Sequence, residues 1–378
     1  MIPFNKPAKL ESTLEFISNA MNSGHLSGDG EYTKNCHEWF QSLYYGATCL
    51  LTPSATHALE LAALLIDIQP GDEVIVPSYT FVSSANPFVL RGAKIKFVDV
   101  CAQNLNSSVE HIQPAITDRT KAVVCVNYAG TSTDLKKLAE LCKNRGIILI
   151  EDNAQGFMAT YDSRQLGSFG DLSVLSFHET KNITSGGEGG LLVINNPIFE
   201  ERAAVIREKG TDRSRFFQGL VDKYTWQDVG SSFLPSELQA AYLFSLLNEV
   251  DLINNKRVLN WSCYNGELSD FLINLGMNVM ETHQNAKHNG HIYYIIMRSE
   301  NERTQFIKYM KNQGVNTPFH YLPLHSSPAG KRFGQLVGSD DNTTLMSQRL
   351  VRLPIYFDLS EAQQEYVISH TKKFFENQ

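Results

Sequence analysis

One lysine stands where a chemically active amine would be placed. Ser173-Val174-Leu175-Ser176-Phe177 reads as a buried strand, and His178-Glu179-Thr180-Lys181-Asn182 follows it at once. The chain then runs Thr184-Ser185-Gly186-Gly187-Glu188-Gly189-Gly190, with four glycines close together. A lysine at the end of an apolar strand is open to desolvation, which depresses its pKa and frees the nucleophilic amine. Such an amine can condense with an aldehyde and can then carry a proton. The glycines would let backbone pass close to a flat ring without Cβ contacts. The same residues also describe a surface lysine in a flexible loop.

Two further segments bear on that choice. Ile147-Ile148-Leu149-Ile150-Glu151-Asp152-Asn153-Ala154-Gln155 delivers two carboxylates at the end of a buried strand, where open α/β sheets bind ligands. A carboxylate there can keep a pyridine nitrogen protonated, and it can equally contact a metal or a ribose. Thr52-Pro53-Ser54-Ala55-Thr56-His57-Ala58 opens a helix with small hydroxylic residues. Its free N–H groups and dipole suit a phosphate, though an ordinary Ser/Thr cap reads the same way. Together the three segments supply an anion cup, a pyridinium partner and a reactive lysine. Pyridoxal phosphate (PLP) needs all three, whereas a nicotinamide enzyme would want G-x-G-x-x-G after the first strand, and none is present.

The elements that position these residues alternate from about residue 45 to 195. β-Branched and apolar runs recur at 73–76, 95–100, 122–126, 147–150, 173–177 and 190–194. Amphipathic stretches lie between them, at Thr56 to Ile68 before the turn Pro70-Gly71-Asp72, and at Leu135 to Asn144 before Gly146. Beyond about residue 245 the pattern changes. A long helical stretch from Glu237 to Trp261 leads to a late strand, His291-Ile292-Tyr293-Tyr294-Ile295-Ile296. This predicts an α/β fold with a large PLP-binding domain over 1–245 and a smaller α+β domain over 246–378.

Composition narrows the class further. A chain of 378 residues with 42% hydrophobic residues can bury a substantial core. A net charge of −7 argues against a broad nucleic-acid surface. No apolar run approaches the roughly 20 residues that span a bilayer, and the N-terminus shows no apolar signal region. A cytoplasmic protein is the expectation. The six cysteines show neither a C-x-x-C pair nor metal-ligand spacing, so no metal is expected.

More of the chain follows a recognisable order. Pro77-Ser78-Tyr79-Thr80-Phe81, Glu151-Asp152-Asn153-Ala154-Gln155, the segment from Ser176 to Asn182, the glycine run, Ser236-Glu237-Leu238-Gln239-Ala240-Ala241 and His320-Tyr321-Leu322-Pro323-Leu324-His325 succeed one another. In these motifs, over essentially its whole length, the sequence resembles the sugar-nucleotide aminotransferases of the DegT/StrS family. The resemblance implies the aspartate aminotransferase-like fold (PLP fold type I), with a large, mostly parallel sheet. It implies PLP bonded to Lys181, which would then move the proton between the substrate carbon and the cofactor. It implies Asp152 on the pyridine nitrogen, Gln155 at the 3-hydroxyl side, Phe81 on the ring face, and Ser54, Ala55 and Ser176 on the phosphate.

A homodimer with shared active sites is implied as well. Where the family commonly has Gly-x-Asn reaching the partner's phosphate, this chain has Gly230-Ser231-Ser232, so Ser232 takes that place with a shorter reach. Arg213, with Lys209 and Arg215 near it, is the candidate for the substrate diphosphate, and His320, Tyr321 and His325 are candidates on the sugar side. Stretches such as Asp67-Ile68-Gln69-Pro70-Gly71-Asp72-Glu73-Val74 and Asp222-Lys223-Tyr224-Thr225-Trp226 sharpen the implied reaction. It moves an amino group from L-glutamate to C4 of dTDP-4-keto-6-deoxy-D-glucose, giving dTDP-4-amino-4,6-dideoxy-D-galactose. The gluco epimer stays open, because the face of the ring presented to the cofactor decides it. Sugar dehydratases of this fold carry histidine in place of the lysine, so Lys181 speaks against them. A non-catalytic regulator would not need Asp152, Gln155 and Lys181 intact.

Overall fold

The computed structural model describes residues 1–213, 216, 219 and 222–376. Fourteen strands are numbered here in chain order: β1 Thr48–Thr52, β2 Glu73–Pro77, β3 Lys94–Val98, β4 Thr120–Val126, β5 Ile148–Asp152, β6 Thr160–Tyr161, β7 Arg164–Gln165, β8 Leu172–Ser176, β9 Gly190–Ile194, β10 Asn278–Val279, β11 Ala286–Lys287, β12 Tyr293–Ile296, β13 Gly334–Leu336 and β14 Leu350–Leu353. Eight of them form one sheet in the order β1-β9-β8-β5-β4-β2-β3-β13. Every pairing from β13 across to β8 is parallel, while β8–β9 and β1–β9 are antiparallel. The expected mixed, mostly parallel sheet is what forms.

Its strands read as continuous apolar runs because both faces are covered. All five residues of β2, β8 and β9 are buried. On one face helix Ala55–Leu65 packs its alanines and leucines against Val174, Leu192 and Ile150. On the other, helix Leu135–Arg145 covers Val123, Cys125 and Leu149, and it ends at Gly146 in the left-handed conformation (φ 65°) that favours glycine.

A smaller sheet, β10-β12-β14, is antiparallel. Helices Val250–Asn274, Glu300–Asn312 and Glu361–Glu376 pack on it around Tyr264, Tyr293, Phe306 and Phe375. The single helix expected from Glu237 to Trp261 is instead two, Glu237–Leu247 and Val250–Asn274. They part at Asn248 and Glu249, where Glu249 leaves helical geometry (φ −120°, ψ 20°). The apolar pattern continues through this break because both helices bury one face, so periodicity does not reveal it. The expected strand from His291 begins two residues later, and His291 and Ile292 enter the cavity described below.

A carboxylate braces the centre of the large sheet. Glu151 Oε1 accepts from the N–H groups of Phe169 (2.7 Å) and Gly170 (2.8 Å). Its Oε2 accepts from Gly167 N–H (2.8 Å) and Asn127 Nδ2 (3.1 Å). Each oxygen faces two donors, so an amide must set its NH2 against a pair of them in either orientation. Glu151→Gln is therefore expected to cost roughly 2–3 kcal/mol of stability, read as a lower urea midpoint, while Asp152 keeps its place.

Candidate active site

The parallel strands end together, and a cavity of about 490 Å³ opens there. Among the residues lining it are Ser54, Ala55, Thr56, Phe81, Asp152, Gln155, Ser176, Lys181, His320 and Tyr321. Sequence segments 54–56, 152–155 and 176–181 thus converge as their order suggested. The reason is topological: β5 and β8 are parallel neighbours, so the loops after them meet on one side.

Lys181 and Asp152 both line this cavity, and each senses the other's charge. Burial is the larger influence on the Lys181 ammonium and lowers its pKa from 10.5 to about 8, against the pull of Asp152. Burial pushes the Asp152 carboxyl upward, and the Ser84 hydroxyl, the Ala154 N–H and Lys181 oppose it. Ser84 Oγ donates to Asp152 Oδ2 at 2.5 Å, and Ala154 N–H donates to Oδ1 at 3.3 Å. Gln155 is held at both ends of its amide. Its Oε1 accepts from Ala129 N–H (2.7 Å), and its Nε2 donates to Tyr321 Oη (3.1 Å).

Ser54, Ala55 and Ser176, the residues expected at an anion cup, all line the cavity. Ser54 is the N-cap of helix Ala55–Leu65: its Oγ accepts from His57 N–H (3.2 Å) and pairs with His57 Nδ1 (2.8 Å). The hydroxyl is therefore engaged within the helix end, while Ala55 and Thr56, which line the cavity, carry first-turn N–H groups that have no partner within the helix. A Cβ on Gly190 would lie 2.3 Å from Ser54 C and 2.4 Å from Ala55 N. That glycine admits the helix N-terminus against β9, so it serves the cup rather than the face of a ring.

On the opposite wall, rings and hydroxyls are locked to one another. Tyr128 Oη pairs with His320 Nδ1 (2.9 Å), Tyr79 Oη donates to the His320 carbonyl, and the rings of His320 and Tyr321 lie 3.5 Å apart. Phe81 is 55% exposed at the rim, its ring 6.2 Å from that of Tyr321.

Three expected residues lie elsewhere. His325 is outside the cavity and bridges Ser78 Oγ (2.6 Å) to Asp340 (3.2 Å), which joins β2 to the loop after β13. Arg213 and Lys209 both pair with Glu208, at 2.8 and 3.3 Å. Ser232 is exposed and bridges to Glu208 in the same region, away from the cavity lining. Arg215 falls outside the described residues.

Other lining residues escaped sequence reasoning. Arg352, on β14, has its guanidinium 4.3 Å from the Phe4 ring centre, and one of its terminal nitrogens donates to Phe319 O (2.9 Å). Its Nε is buried without a partner. His291 donates from Nδ1 to Asn182 Oδ1 (2.8 Å), because Asn182 Nδ2 is spent on Asn289 O (3.0 Å). Phe4 and Asn5 also line the cavity. None of these sits in a local pattern that marks chemistry.

The donor set fits PLP. A buried carboxylate suits a pyridinium, an amine of lowered pKa suits an aldehyde, and a helix N-terminus suits a phosphate. Comparison with known proteins agrees. The GDP-perosamine synthases of Escherichia coli O157:H7 and Vibrio cholerae are each 29% identical to the chain, aligned over 99% of it and over 98% and 99% of their own lengths. Among solved structures, the aminotransferase TlmJ from Streptoalloteichus hindustanus superposes with a TM-score of 0.90 at 28% identity, over 100% of this chain and 99% of its own. DesV from S. venezuelae gives 0.88 at 26% identity, over 99% and 98%. Residues 8–372 match one family throughout, and the chain belongs to it: the DegT/DnrJ/EryC1/StrS aminotransferase family of PLP-dependent enzymes.

Proposed function

We propose that this protein moves an amino group from L-glutamate to C4 of dTDP-4-keto-6-deoxy-D-glucose, giving dTDP-4-amino-4,6-dideoxy-D-galactose. The observation that carries the reading is Lys181, with its lowered pKa, set in one cavity with the buried Asp152. PLP, when bound, supplies the aldehyde that takes up the amino group and the ring that draws electrons from the carbon losing a proton. The protein's part is to hold it and to move protons. Lys181 Nζ would take the proton from the substrate carbon, hold it and return it. Asp152 keeps the pyridine nitrogen protonated, and Gln155, fixed by Ala129 and Tyr321, presents its amide to the 3-oxygen. The N–H groups of Ala55 and Thr56, with the Ser176 hydroxyl, take the phosphate. Phe81 covers the ring, and His320 and Tyr321 face the sugar.

A second copy of the chain belongs to the proposal. Ser232 lies outside its own cavity and exposed, the placement expected of a residue that serves the partner's phosphate. The relatives named as GDP-perosamine synthases favour a second reading, in which the sugar is GDP-linked. Pure protein incubated with glutamate and either dTDP-4-keto-6-deoxyglucose or a GDP-linked 4-keto-6-deoxy sugar separates the two. NMR of the product also distinguishes the galacto from the gluco epimer. Amination of neither sugar would overturn the proposal.

Arg352 completes the donor side. Among the described residues lining the cavity it is the only arginine, and a guanidinium is suited to hold a carboxylate. Arg352→Gln is expected to raise KM for glutamate about 10- to 100-fold, as loss of a charge-assisted bond would. Amination of the keto sugar by enzyme already carrying the amine should change little. Equal damage to both half-reactions, followed separately by stopped-flow absorbance, would rule this role out.

A further inference from the structure

Behind Asp152 lies a short relay of hydroxyls that does not itself line the cavity throughout. Ser84 Oγ sits 2.5 Å from Asp152 Oδ2, and Thr80 Oγ1 sits 2.7 Å from Ser84 Oγ. All three residues are buried, Ser84 completely and Thr80 at 2% exposure. The direction of the chain follows from chemistry. An ionised carboxylate only accepts, so the one hydroxyl hydrogen of Ser84 goes to Asp152. Ser84 Oγ can then only accept from Thr80, whose hydrogen goes to Ser84. The loop that carries both hydroxyls is pinned independently, by Ser83 to Thr56 (2.8 Å) and by Ser78 to His325 (2.6 Å).

We propose that Ser84 is a positioning residue for amino transfer: it holds Asp152 ionised and aimed at the cofactor site, with Thr80 fixing the direction of its hydroxyl. The inference rests on the reading of Asp152 as the partner of the pyridine nitrogen. A buried carboxyl by itself gains a proton, and a protonated Asp152 would no longer favour a proton on the ring. Burial does push Asp152 upward, and the Ser84 bond is the largest influence against it, ahead of Ala154 N–H and the charge of Lys181. Tyr321 and Cys125 are other titratable groups that sense Asp152. Ser84 thereby prepares the negative charge before the ring arrives, which spares the site a rearrangement during the reaction.

The test uses the PLP-loaded enzyme and four variants: Ser84→Ala, Ser84→Thr, Thr80→Val and Asp152→Asn. Ser84→Ala is expected to lower kcat about 10- to 100-fold, the loss typical of one hydrogen bond to a buried charge. KM for glutamate and for the keto sugar should stay within about threefold, because Ser84 touches neither. The pH midpoint of the bound cofactor's visible absorption band should move by about one unit, since the charge opposite the ring has changed. Ser84→Thr keeps the hydroxyl and should restore both readouts. Thr80→Val should shift both in the same direction by less, and it serves if Ser84→Ala does not fold.

A purely structural stitch between loop and strand would lower the melting temperature and leave kcat and the band midpoint at their original values. That outcome overturns the proposal. So does failure of threonine to rescue. Should Asp152→Asn itself behave as the parent enzyme, the reading of Asp152 falls. A crippled Asp152→Asn beside a Ser84→Ala protein with unchanged kcat and midpoint would sink the Ser84 proposal alone.

Discussion

Lys181→Ala protein is expected to fold, to retain PLP weakly and to lose turnover by at least about 10⁴-fold, the upper range for a positioned acid–base group. Two roles fall together in this residue. In the proposed reaction it would bond the cofactor, and its amine would move the proton at the substrate carbon. Its pKa of about 8 leaves an appreciable neutral fraction near neutrality, whereas a solvent-exposed lysine at 10.5 would be almost wholly charged. Reduction of the loaded protein with borohydride, followed by peptide mapping, checks the first role without any turnover. The pyridoxyl label belongs on the peptide containing Lys181. A label on another lysine would remove the basis of the whole site, and measurable steady-state turnover by the alanine variant would remove the second role.

Asp152→Asn is expected to lower kcat by about a hundredfold or more, from loss of a few kcal/mol of charge stabilisation opposite the ring nitrogen. Gln155→Ala should cost less, because the role proposed for that amide is to orient the ring and it bears no charge. The comparison matters because both side chains line the same cavity and both are anchored by hydrogen bonds. A general loosening of the wall would affect them alike. Stopped-flow measurement of each half-reaction gives the ordering, and an asparagine variant as active as the parent would contradict the role of Asp152.

Much of this site is written locally in the chain. The strand from Leu172 to Ser176, the lysine behind it and the glycines after it occupy a single stretch, and so does the strand that ends in Asp152. Ser54 as helix cap, Gly146 as helix stop and the run of parallel strands likewise follow from side-chain type and period. These features depend on backbone preference and burial of one segment at a time, so sequence order is enough to find them.

Other parts depend on strand order and on packing between distant segments. Arg352 and Phe4 are at opposite ends of the chain, yet their side chains meet at the cavity. His291 joins Asn182 across 109 positions, and Ser84 joins Asp152 across 68. No local period marks such residues, because their significance arises only when sheet register brings them to one place. The same logic commits some residues that looked functional to contacts outside this chain's cavity. His325 sits in a promising motif, but pairing of β13 with β3 carries the following loop past Ser78, and the imidazole is consumed between Ser78 and Asp340. Arg213 is drawn to Glu208, whereas Ser232, exposed outside its own cavity, keeps the role proposed for it toward a partner's site. The sequence by itself determined which groups could bond and protonate a cofactor, since that chemistry belongs to residue types at the ends of buried strands. Only the tertiary structure decided which side chains complete the cavity wall, because a contact between distant segments is set by the burial of whole sheets and not by any single stretch of chain.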